Sequence, residues 1–346
     1  MPTASTPQSA TPAQSQVRIL DCTLREGSYA VDFQLPAATI ERVLIELEES
    51  GVHYIELGHG WGLNGHTMAR PSLVPDEEAF NIAAKVLKKA SWGAICVPGI
   101  ASIEDVERAA EAGITFLRVG TNITEVDTAP PFVERAKELG LLTSINLMKT
   151  QVLDEDGVIE TVKRCESYGA DMVYLVDSYG SLLPGDARRF VARSQESVTI
   201  PVGFHGHDNL GMAHANTLAA IEAGASLVDT TLDGMGRSAG NASTEAVSTL
   251  LRKLAIDPDI DSFRLASVSE QLIQPLDRIA DSRYYQLVGA YTDLHSSSFP
   301  MFTRVAEEVG VDVAELMQRV SAIDPVNPTA ELARREALAL KDTVSL

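Results

Sequence analysis

Cysteine is scarce in this sequence, with only Cys22, Cys96 and Cys165 among 346 residues. Their spacing forms no metal-binding pair and three thiols cannot all be joined in disulfides, so we expect buried free thiols in a reducing, cytoplasmic protein. No apolar run reaches the roughly 18 residues that cross a bilayer. Residues 1–16 have neither the basic start nor the apolar centre of a signal peptide, which predicts a disordered tail outside the fold.

Positive charge is also in short supply. The sequence has 28 Lys and Arg residues against 48 Asp and Glu, a formal net charge of −20. This balance argues against nucleic acid or an anionic membrane surface as a partner. An anionic substrate would need a local cationic site, so the few well-placed arginines become of interest. The hydrophobic content of 45% is typical of a filled globular core.

Strand-like and helix-like segments alternate regularly from residue 17 onward. The eight predicted strands are 17–22, 52–58, 92–97, 114–120, 141–147, 171–177, 199–204 and 225–231. The predicted helices are roughly 36–50, 76–90, 102–112, 128–140, 156–168, 184–196, 209–223 and 241–254. An open doubly wound sheet seldom has eight uniform units, so we predict a closed (β/α)8 TIM barrel over 17–255. Residues 256–346 keep helical periodicity without strands, which predicts a helical C-terminal extension packed on the barrel.

Polar residues gather where the predicted strands end, and the opposite ends of the same units carry nothing comparable. The main positions are Asp21 to Arg25, Glu56, His59, Arg118, Asn122, Asn146, Lys149, Asp177, Ser178, His205 to His207, and Asp229 to Asp233. Active sites of such barrels lie at the carboxyl ends of the strands. The asymmetry therefore predicts an enzyme.

His205 and His207 stand two positions apart on a predicted strand, so both side chains point to one face. Closure of the barrel places this strand two positions from the first, and we expect Asp21 to reach the same point. Two imidazoles and a carboxylate suit a divalent ion such as Mn²⁺, Zn²⁺, Fe²⁺ or Co²⁺. Asp177 and Asp208 could orient the imidazoles, although Asp208 could instead begin the next helix.

The glycine-rich turn at 234–241 superficially fits a dinucleotide-binding fingerprint. It lies in the last predicted unit, however, with no following strand to supply a ribose-binding acid. We expect a close approach of backbone to the site instead, with Asn241 as a further ligand of metal or substrate. Arg237 is either a site residue or an ordinary surface arginine.

Three segments together resemble the metal-dependent lyases and Claisen-type synthases. They are Asp21-x-Thr-Leu-Arg-Glu-Gly27, His205-x-His207 followed by Asn209-Leu-Gly211, and Gly234-Met-Gly236 leading to Gly240-Asn241. That superfamily includes hydroxymethylglutaryl-CoA lyase, isopropylmalate synthase and 4-hydroxy-2-oxovalerate aldolase, and the similarity is closest to the aldolases. It covers about residues 17–320, and it identifies 17–255 as a pyruvate-carboxyltransferase-like catalytic barrel.

The resemblance implies a mechanism. Asp21, His205 and His207 would hold a divalent metal, Mn²⁺ before Mg²⁺, Co²⁺ or Zn²⁺, with Asn241 as a further ligand. The metal would bind pyruvate or another 2-oxo acid and stabilise its enolate. Arg25 would stabilise the same oxyanion, and Ser178 would bind the substrate carboxylate. His205 would then lie against the substrate as well as the metal.

Two positions depart from the aldolase pattern. The aldolases carry a histidine base four residues after the motif arginine, where this sequence has Tyr29. They carry a tyrosine before a Ser-Ser pair in the C-terminal segment, where this sequence has His295. Both residue types can move a proton, so we predict that Tyr29 and His295 exchange roles. The alternative is that Tyr29 only packs and His295 is a solvated loop residue, in which case the chemistry or the substrate differs.

The resulting prediction is an aldolase that cleaves or forms a 4-hydroxy-2-oxo acid from a 2-oxo acid and an aldehyde. One alternative is a Claisen-type transferase that condenses an acyl-CoA with a 2-oxo acid. The acid–arginine pair that such synthases carry in the glycine turn is not reproduced here. A non-catalytic relative acting as a binding subunit is the second alternative. We also expect a homo-oligomer, and the resemblance suggests an aldehyde dehydrogenase as a partner.

Overall fold

Eight parallel strands form a closed barrel in which each strand pairs with the next and the eighth pairs with the first. The computed structural model describes residues 17–257, 259–279 and 282–344, so the predicted tail at 1–16 lies outside the described residues. The strands are β1 (Arg18–Leu24), β2 (Tyr54–Leu57), β3 (Ser91–Cys96), β4 (Phe116–Asn122), β5 (Leu142–Met148), β6 (Met172–Asp177), β7 (Val202–Gly206) and β8 (Leu227–Thr230). The predicted TIM barrel is therefore confirmed.

A helix follows each strand on the outside of the barrel. These are α1 (Ala37–Glu49), α2 (Asp76–Val86), α3 (Ile103–Glu111), α4 (Pro130–Glu138), α5 (Glu155–Ser167), α6 (Pro184–Ser197), α7 (Ala213–Glu222) and α8 (Thr244–Lys253). Local sequence fixes the ends of α3. The Ser102 hydroxyl accepts from the Asp105 amide while the Asp105 carboxylate accepts from the Ser102 amide, and Gly113 follows the helix with a φ of 102°.

Two helices begin later than the sequence predicts. The predicted start of α7 at residue 209 is wrong because Asp208 caps a later turn, its carboxylate accepting from the Ala213 amide at 2.8 Å. The predicted start of α8 at residue 241 is wrong because Asn241 and Ser243 form bridges with His207 and Thr231. Both segments are thus bonded close to the strand ends, where the functional site lies.

Side chains of β1 alternate between the barrel interior and the surrounding helices. The interior cluster contains Leu20, Cys22, Phe116, Tyr174, Val176 and Leu227. Above it, the Arg118 guanidinium lies 4.4 Å from the centre of the Tyr174 ring. Ile19, one position from Leu20, packs outward in the larger core under the helices. This alternation decides which residues of β1 can reach the mouth of the barrel.

In the described part of the chain, five further α-helices follow the barrel, as the predicted extension requires. They are α9 (Ser262–Val268), α10 (Arg283–Thr292), α11 (Phe299–Val309), α12 (Val313–Ser321) and α13 (Ala330–Val344). The predicted boundary at 255/256 falls in the loop between α8 and α9. None of the helices in the described ranges combines the length and hydropathy of a membrane-spanning segment.

The extension packs in two parts. Leu265 and Val268 of α9 join the core of the barrel, whereas α10 to α13 enclose a core of their own around Phe302 and Leu316. This second part is bonded to the mouth of the barrel, since the Tyr179 hydroxyl donates to the Pro325 carbonyl at 3.0 Å. The extension therefore borders the carboxyl ends of the strands.

Candidate metal and substrate site

Glu26, His205 and His207 converge at the mouth of the barrel. His205 lies on β7 and His207 follows it, while Glu26 opens a short 3-10 helix (Glu26–Val31) directly after β1. One potential ligand atom from each residue lies within 4.8 Å of the other two. All three side chains are buried. A carboxylate and two imidazoles at this spacing have the composition of a divalent metal site.

Asp21 lies elsewhere, and the prediction that it joins the histidines is wrong. It is next to the inward-facing Cys22 on β1, so its side chain points to the opposite face, towards α8. The Thr244 hydroxyl donates to its carboxylate at 2.5 Å and the Thr23 amide at 2.9 Å. Burial raises the pKa of Asp21 to about 6, against the opposing effect of these hydrogen bonds.

Glu26 takes the position predicted for Asp21 because β1 continues to Leu24, beyond its predicted end at residue 22. The chain then turns at Arg25 and carries the Glu26 carboxylate over the mouth. The sequence feature that could have identified Glu26 is its position next to Arg25, which we predicted to be a site residue.

The tautomer of His205 is fixed by Asp229. The Nδ1 atom of His205 lies 2.8 Å from the Asp229 carboxylate, which also forms an ion pair with Arg118 at 2.5 Å. Burial opposes ionisation of Asp229, but Arg118 and His205 hold its pKa below the usual range. Because a carboxylate accepts, Nδ1 carries the proton and Nε2 keeps its lone pair.

His207 reaches the same state by a different contact. Its Nδ1 lies 2.9 Å from the backbone carbonyl of Asp177, which can only accept, so the lone pair is again on Nε2. Burial and the nearby Arg237 lower the pKa of His207 to about 4. Asp177 therefore orients the imidazole, as predicted. It does so through its backbone carbonyl and not through its carboxylate.

Arg237 is a site residue and not a surface arginine. Its guanidinium lies 2.9 Å from Nε2 of His207 and 3.9 Å from Oε1 of Glu26, and its side chain is only 13% exposed. Burial would raise the pKa of Glu26, but Arg25, His207 and Arg237 together lower it well below the usual range. Nε2 of His207 lies 3.2 Å from Oε1 of Glu26, and the Arg237 guanidinium lies beside both atoms and supplies a positive charge there.

A chain of buried ion pairs underlies the site. Nε of Arg25 lies 2.6 Å from Glu56, and Glu56 lies 3.2 Å from Arg118, which in turn pairs with Asp229. Cys22, His205 and Asp229 form a second group of potential ligands, but the Arg118 guanidinium already lies 3.6 Å from the Cys22 sulfur. Arg118 pairs with both Glu56 and Asp229, so its guanidinium already supplies the positive charge that a metal ion would bring to this second group.

Asn241 offers a fourth potential ligand atom for a metal ion at the mouth of the barrel. It is buried, and its Nδ2 donates to the Met235 carbonyl at 3.3 Å. Its Oδ1 has no hydrogen-bond partner among the described residues. A buried amide oxygen without a donor is costly, and a bound cation would satisfy it. The residues present therefore fit a divalent ion held by Glu26, the two imidazoles and this oxygen.

Ser178 and Tyr29 also lie where the sequence predicts, at the mouth. The Ser178 hydroxyl accepts from the Lys149 amide at 2.8 Å, and its carbonyl accepts from Arg237 at 3.2 Å. Tyr29 is half-buried beside Phe33, with ring centres 5.2 Å apart. Burial and the charge of Glu26 raise the pKa of Tyr29 above its ordinary value, so its hydroxyl stays protonated at neutral pH.

His295 lies near the same group, although it belongs to the extension. Burial, Arg237, Lys149 and His207 lower its pKa well below the ordinary value of 6.5, so the ring is neutral. The Ser297 amide donates to its Nδ1 at 3.3 Å. Tyr29 and His295 therefore both lie within electrostatic reach of Glu26 and Arg237, and their exchanged roles in proton transfer stay a prediction.

The fold and these side chains define a TIM-barrel protein with a carboxylate–imidazole centre at the carboxyl ends of its strands. A family model described as HMGL-like matches residues 16–272, and the chain belongs to this family. The predicted resemblance is confirmed.

Two of its relatives carry the same name. A 4-hydroxy-2-oxovalerate aldolase of Thermomicrobium roseum is 39% identical over 331 residues, which cover 93% of this chain and 88% of that protein. The Moorella thermoacetica protein of the same name is 37% identical, over 87% and 90% of the two chains. Among solved structures, the carboxyl transferase domain of Rhizobium etli pyruvate carboxylase with pyruvate shares the fold, with a TM-score of 0.76 and 17% identity. That match covers 96% of this chain and 62% of the other.

Proposed function

We propose that this protein is a divalent-metal-dependent aldolase that cleaves or forms 4-hydroxy-2-oxo acids. Cleavage gives pyruvate or another 2-oxo acid and an aldehyde, and the reverse reaction joins them. The single observation that carries the proposal is the convergence of Glu26, His205 and His207, each with a free electron pair, around one point at the mouth of the barrel. The names of the relatives support the same reaction class.

Glu26, His205, His207 and Asn241 would hold the ion. When bound, it supplies a Lewis acid that stabilises negative charge on the substrate's keto oxygen. Mixed nitrogen and oxygen ligands suit Mn²⁺, with Mg²⁺, Co²⁺ and Zn²⁺ as alternatives.

Three side chains would bind and orient the 2-oxo acid. Arg25 is held rigidly by Glu56 at 2.6 Å, so its remaining donors are preorganised for the oxyanion that forms at C2. Arg237 can leave Glu26 when the ion binds and donate to the substrate carboxylate, as a guanidinium readily does. The Ser178 hydroxyl accepts from Lys149 and keeps its own proton for the same carboxylate.

His295 would act as the base and Tyr29 as a hydrogen-bond donor. The neutral imidazole takes the proton from the 4-hydroxyl, the C3–C4 bond breaks, and the electron pair moves to the C2 oxygen as an enolate. The aldehyde leaves, and protonation at C3 releases the 2-oxo acid. Tyr29 suits the donor role because the raised pKa keeps its hydroxyl protonated.

The direct test is pyruvate release from 4-hydroxy-2-oxo acids by protein loaded with Mn²⁺. We expect release that falls to background with a chelator and returns on re-addition of Mn²⁺. Absence of release from every substrate, together with thiol release from acetyl-CoA and a 2-oxo acid, would establish a Claisen-type transferase instead. A homo-oligomer, an aldehyde dehydrogenase partner and a cytoplasmic location stay predictions.

A further inference from the structure

A chamber of about 440 Å³ lies beside the site, between the barrel and the C-terminal extension. Five aromatic side chains line it, in a chain that is only 5% aromatic. Tyr29, Phe33 and Trp61 come from the loops after β1 and β2, and Tyr285 and Phe299 come from α10 and α11.

The aromatic rings form two packed groups, one from the barrel and one from the extension. Tyr29 lies 5.2 Å from Phe33 and 6.1 Å from Trp61, measured between ring centres. In the extension, Tyr285 and Phe299 are stacked with ring centres 5.8 Å apart. Rings that contact one another hold their positions, so the walls are preformed.

The chamber borders the metal and enolate site directly. Arg237 and Tyr29 line the chamber, and Arg237 also contacts His207 at 2.9 Å. Ser296 lines the chamber as well, and its hydroxyl accepts from the Arg237 guanidinium at 2.5 Å. A substrate whose carboxylate and keto group are bound beneath Arg237 would therefore extend its other end into the chamber.

We propose that this chamber binds the part of the substrate beyond C4, and that the enzyme acts on 4-hydroxy-2-oxo acids that release a large apolar aldehyde, aromatic or with a long alkyl chain. This inference rests on the proposed function. The volume lies within the ~300–1,000 Å³ of pockets that enclose whole drug-sized ligands, far more than a two-carbon aldehyde occupies.

The charges around the chamber support an uncharged tail. Asp32, the acid that lines it, is paired with Arg70 at 2.7 Å, and Arg237 faces the metal ligands. An apolar tail would gain roughly fourfold in transition-state binding for each methylene buried against the aromatic walls. A short tail would leave these rings facing water and gain nothing.

The test compares three substrates that differ only at C4: a methyl, a pentyl and a phenyl derivative of 4-hydroxy-2-oxobutanoate. We expect kcat/KM for pyruvate release to be at least about tenfold higher for the pentyl and phenyl compounds than for the methyl compound. Exchange of the methyl hydrogens of pyruvate with deuterium, followed by NMR, reports enolate formation without any aldehyde.

Two variants fill the chamber, one from the barrel and one from the extension. Ala69→Phe acts from the barrel wall, and Ser282→Phe acts from the start of α10. Each is expected to lower kcat/KM for the phenyl compound by at least about tenfold and to change that for the methyl compound less than about twofold. Met68→Phe is the matched control, because Met68 is 53% exposed and its side chain lies outside the chamber lining.

The outcomes separate the two proposals. Preference for the methyl compound with normal deuterium exchange would overturn the chamber assignment and leave the aldolase function standing. Preference for the large compounds that neither variant alters would also overturn the assignment. Absence of both cleavage and exchange would overturn the proposed function and this inference with it.

Discussion

Arg237 lies beside both His207 and Glu26, where a second cation would compete with it. We expect Arg237→Gln to bind Mn²⁺ at least about tenfold more tightly, because the substitution removes a positive charge that lies next to two of the proposed ligands. The same variant should raise KM for the 2-oxo acid, since a donor to its carboxylate is lost. Isothermal titration and steady-state kinetics measure the two effects.

Arg193→Gln is the control for this prediction, because Arg193 forms an exposed ion pair with Glu155 on the outside of the barrel. It should change neither quantity. Unchanged or weaker Mn²⁺ binding by Arg237→Gln would show that the guanidinium does not compete with the ion.

The neutral state of His295 has a consequence for the pH profile. A base works only when deprotonated, so activity falls as pH drops through its pKa. Because burial, Arg237 and Lys149 lower that pKa well below 6.5, kcat/KM should stay level from neutral pH down to 6.5. His295→Gln should lose about 10²- to 10⁴-fold in kcat.

The control is His66→Gln, at an exposed position in the short 3-10 helix Gly65–Thr67. An acid limb centred above pH 6.5, or one that persists unchanged in His295→Gln, would remove His295 from the role of base.

Some residues at the mouth of the barrel could be placed there from the sequence, and others could not. The two histidines, Asn241 and Ser178 could be predicted, because motif spacing and the ends of strands place them. Asp21 could not be assigned correctly, since a strand has two faces and sequence alone did not reveal which face of β1 turns inward. Glu26 depends on where β1 ends, and strand ends are the least certain part of a prediction.

Among the structural elements, the glycine turn 234–241 positions Asn241. Gly240 has a φ of 84°, and a Cβ there would overlap the Gly234 carbonyl oxygen. We expect Gly240→Ala to lower the free energy of unfolding by about 1–3 kcal/mol and to weaken metal binding, because Asn241 must shift. Urea denaturation and metal titration measure these changes.

Gly185→Ala is the matched control for the turn. Gly185 lies exposed in the first turn of α6 with open space around its Cα, so alanine should be neutral or stabilise by up to about 1 kcal/mol. Equal unfolding free energies for Gly240→Ala and the wild type would contradict the strain assigned to the turn.

The number and order of helices and strands were predictable because apolar periodicity reports them directly. The starts of α7 and α8 were not, because residues 207–212 and 241–243 bond to other loops and strands instead of continuing a helix. Such long-range bonds have no local sequence signal, and they occur where the site is built.

For the whole molecule, a bound ion should stabilise the fold by mass action. Mn²⁺ at about 100 times its Kd adds roughly 2.7 kcal/mol, which raises the unfolding temperature by several degrees. Thermal scans of chelator-treated protein with and without Mn²⁺ measure this. A shift of the same size in Glu26→Gln would mean that the ion binds elsewhere.

The chamber is likewise a property of the whole molecule. Its walls come from residues more than 200 positions apart, Tyr29 and Trp61 on one side and Tyr285 and Phe299 on the other. The sequence predicted that an extension would pack on the barrel, but not which face of it would border the site. The packing of two separate cores against each other decides that.

Asp21→Asn offers a clean comparison with Glu26→Gln. The new amide can keep both hydrogen bonds, its oxygen accepting from the Thr23 amide and its nitrogen donating to the Thr244 hydroxyl. It also removes a buried carboxylate whose pKa is raised to about 6, so the folded state should be at least as stable as wild type at neutral pH. Both variants remove one negative charge.

The most direct test of the site is the metal content of these two variants after dialysis against Mn²⁺. We predict about one ion per chain for the wild type and for Asp21→Asn, and almost none for Glu26→Gln, because Glu26 faces the two imidazoles. Loss of the ion in Asp21→Asn with retention in Glu26→Gln would contradict the account.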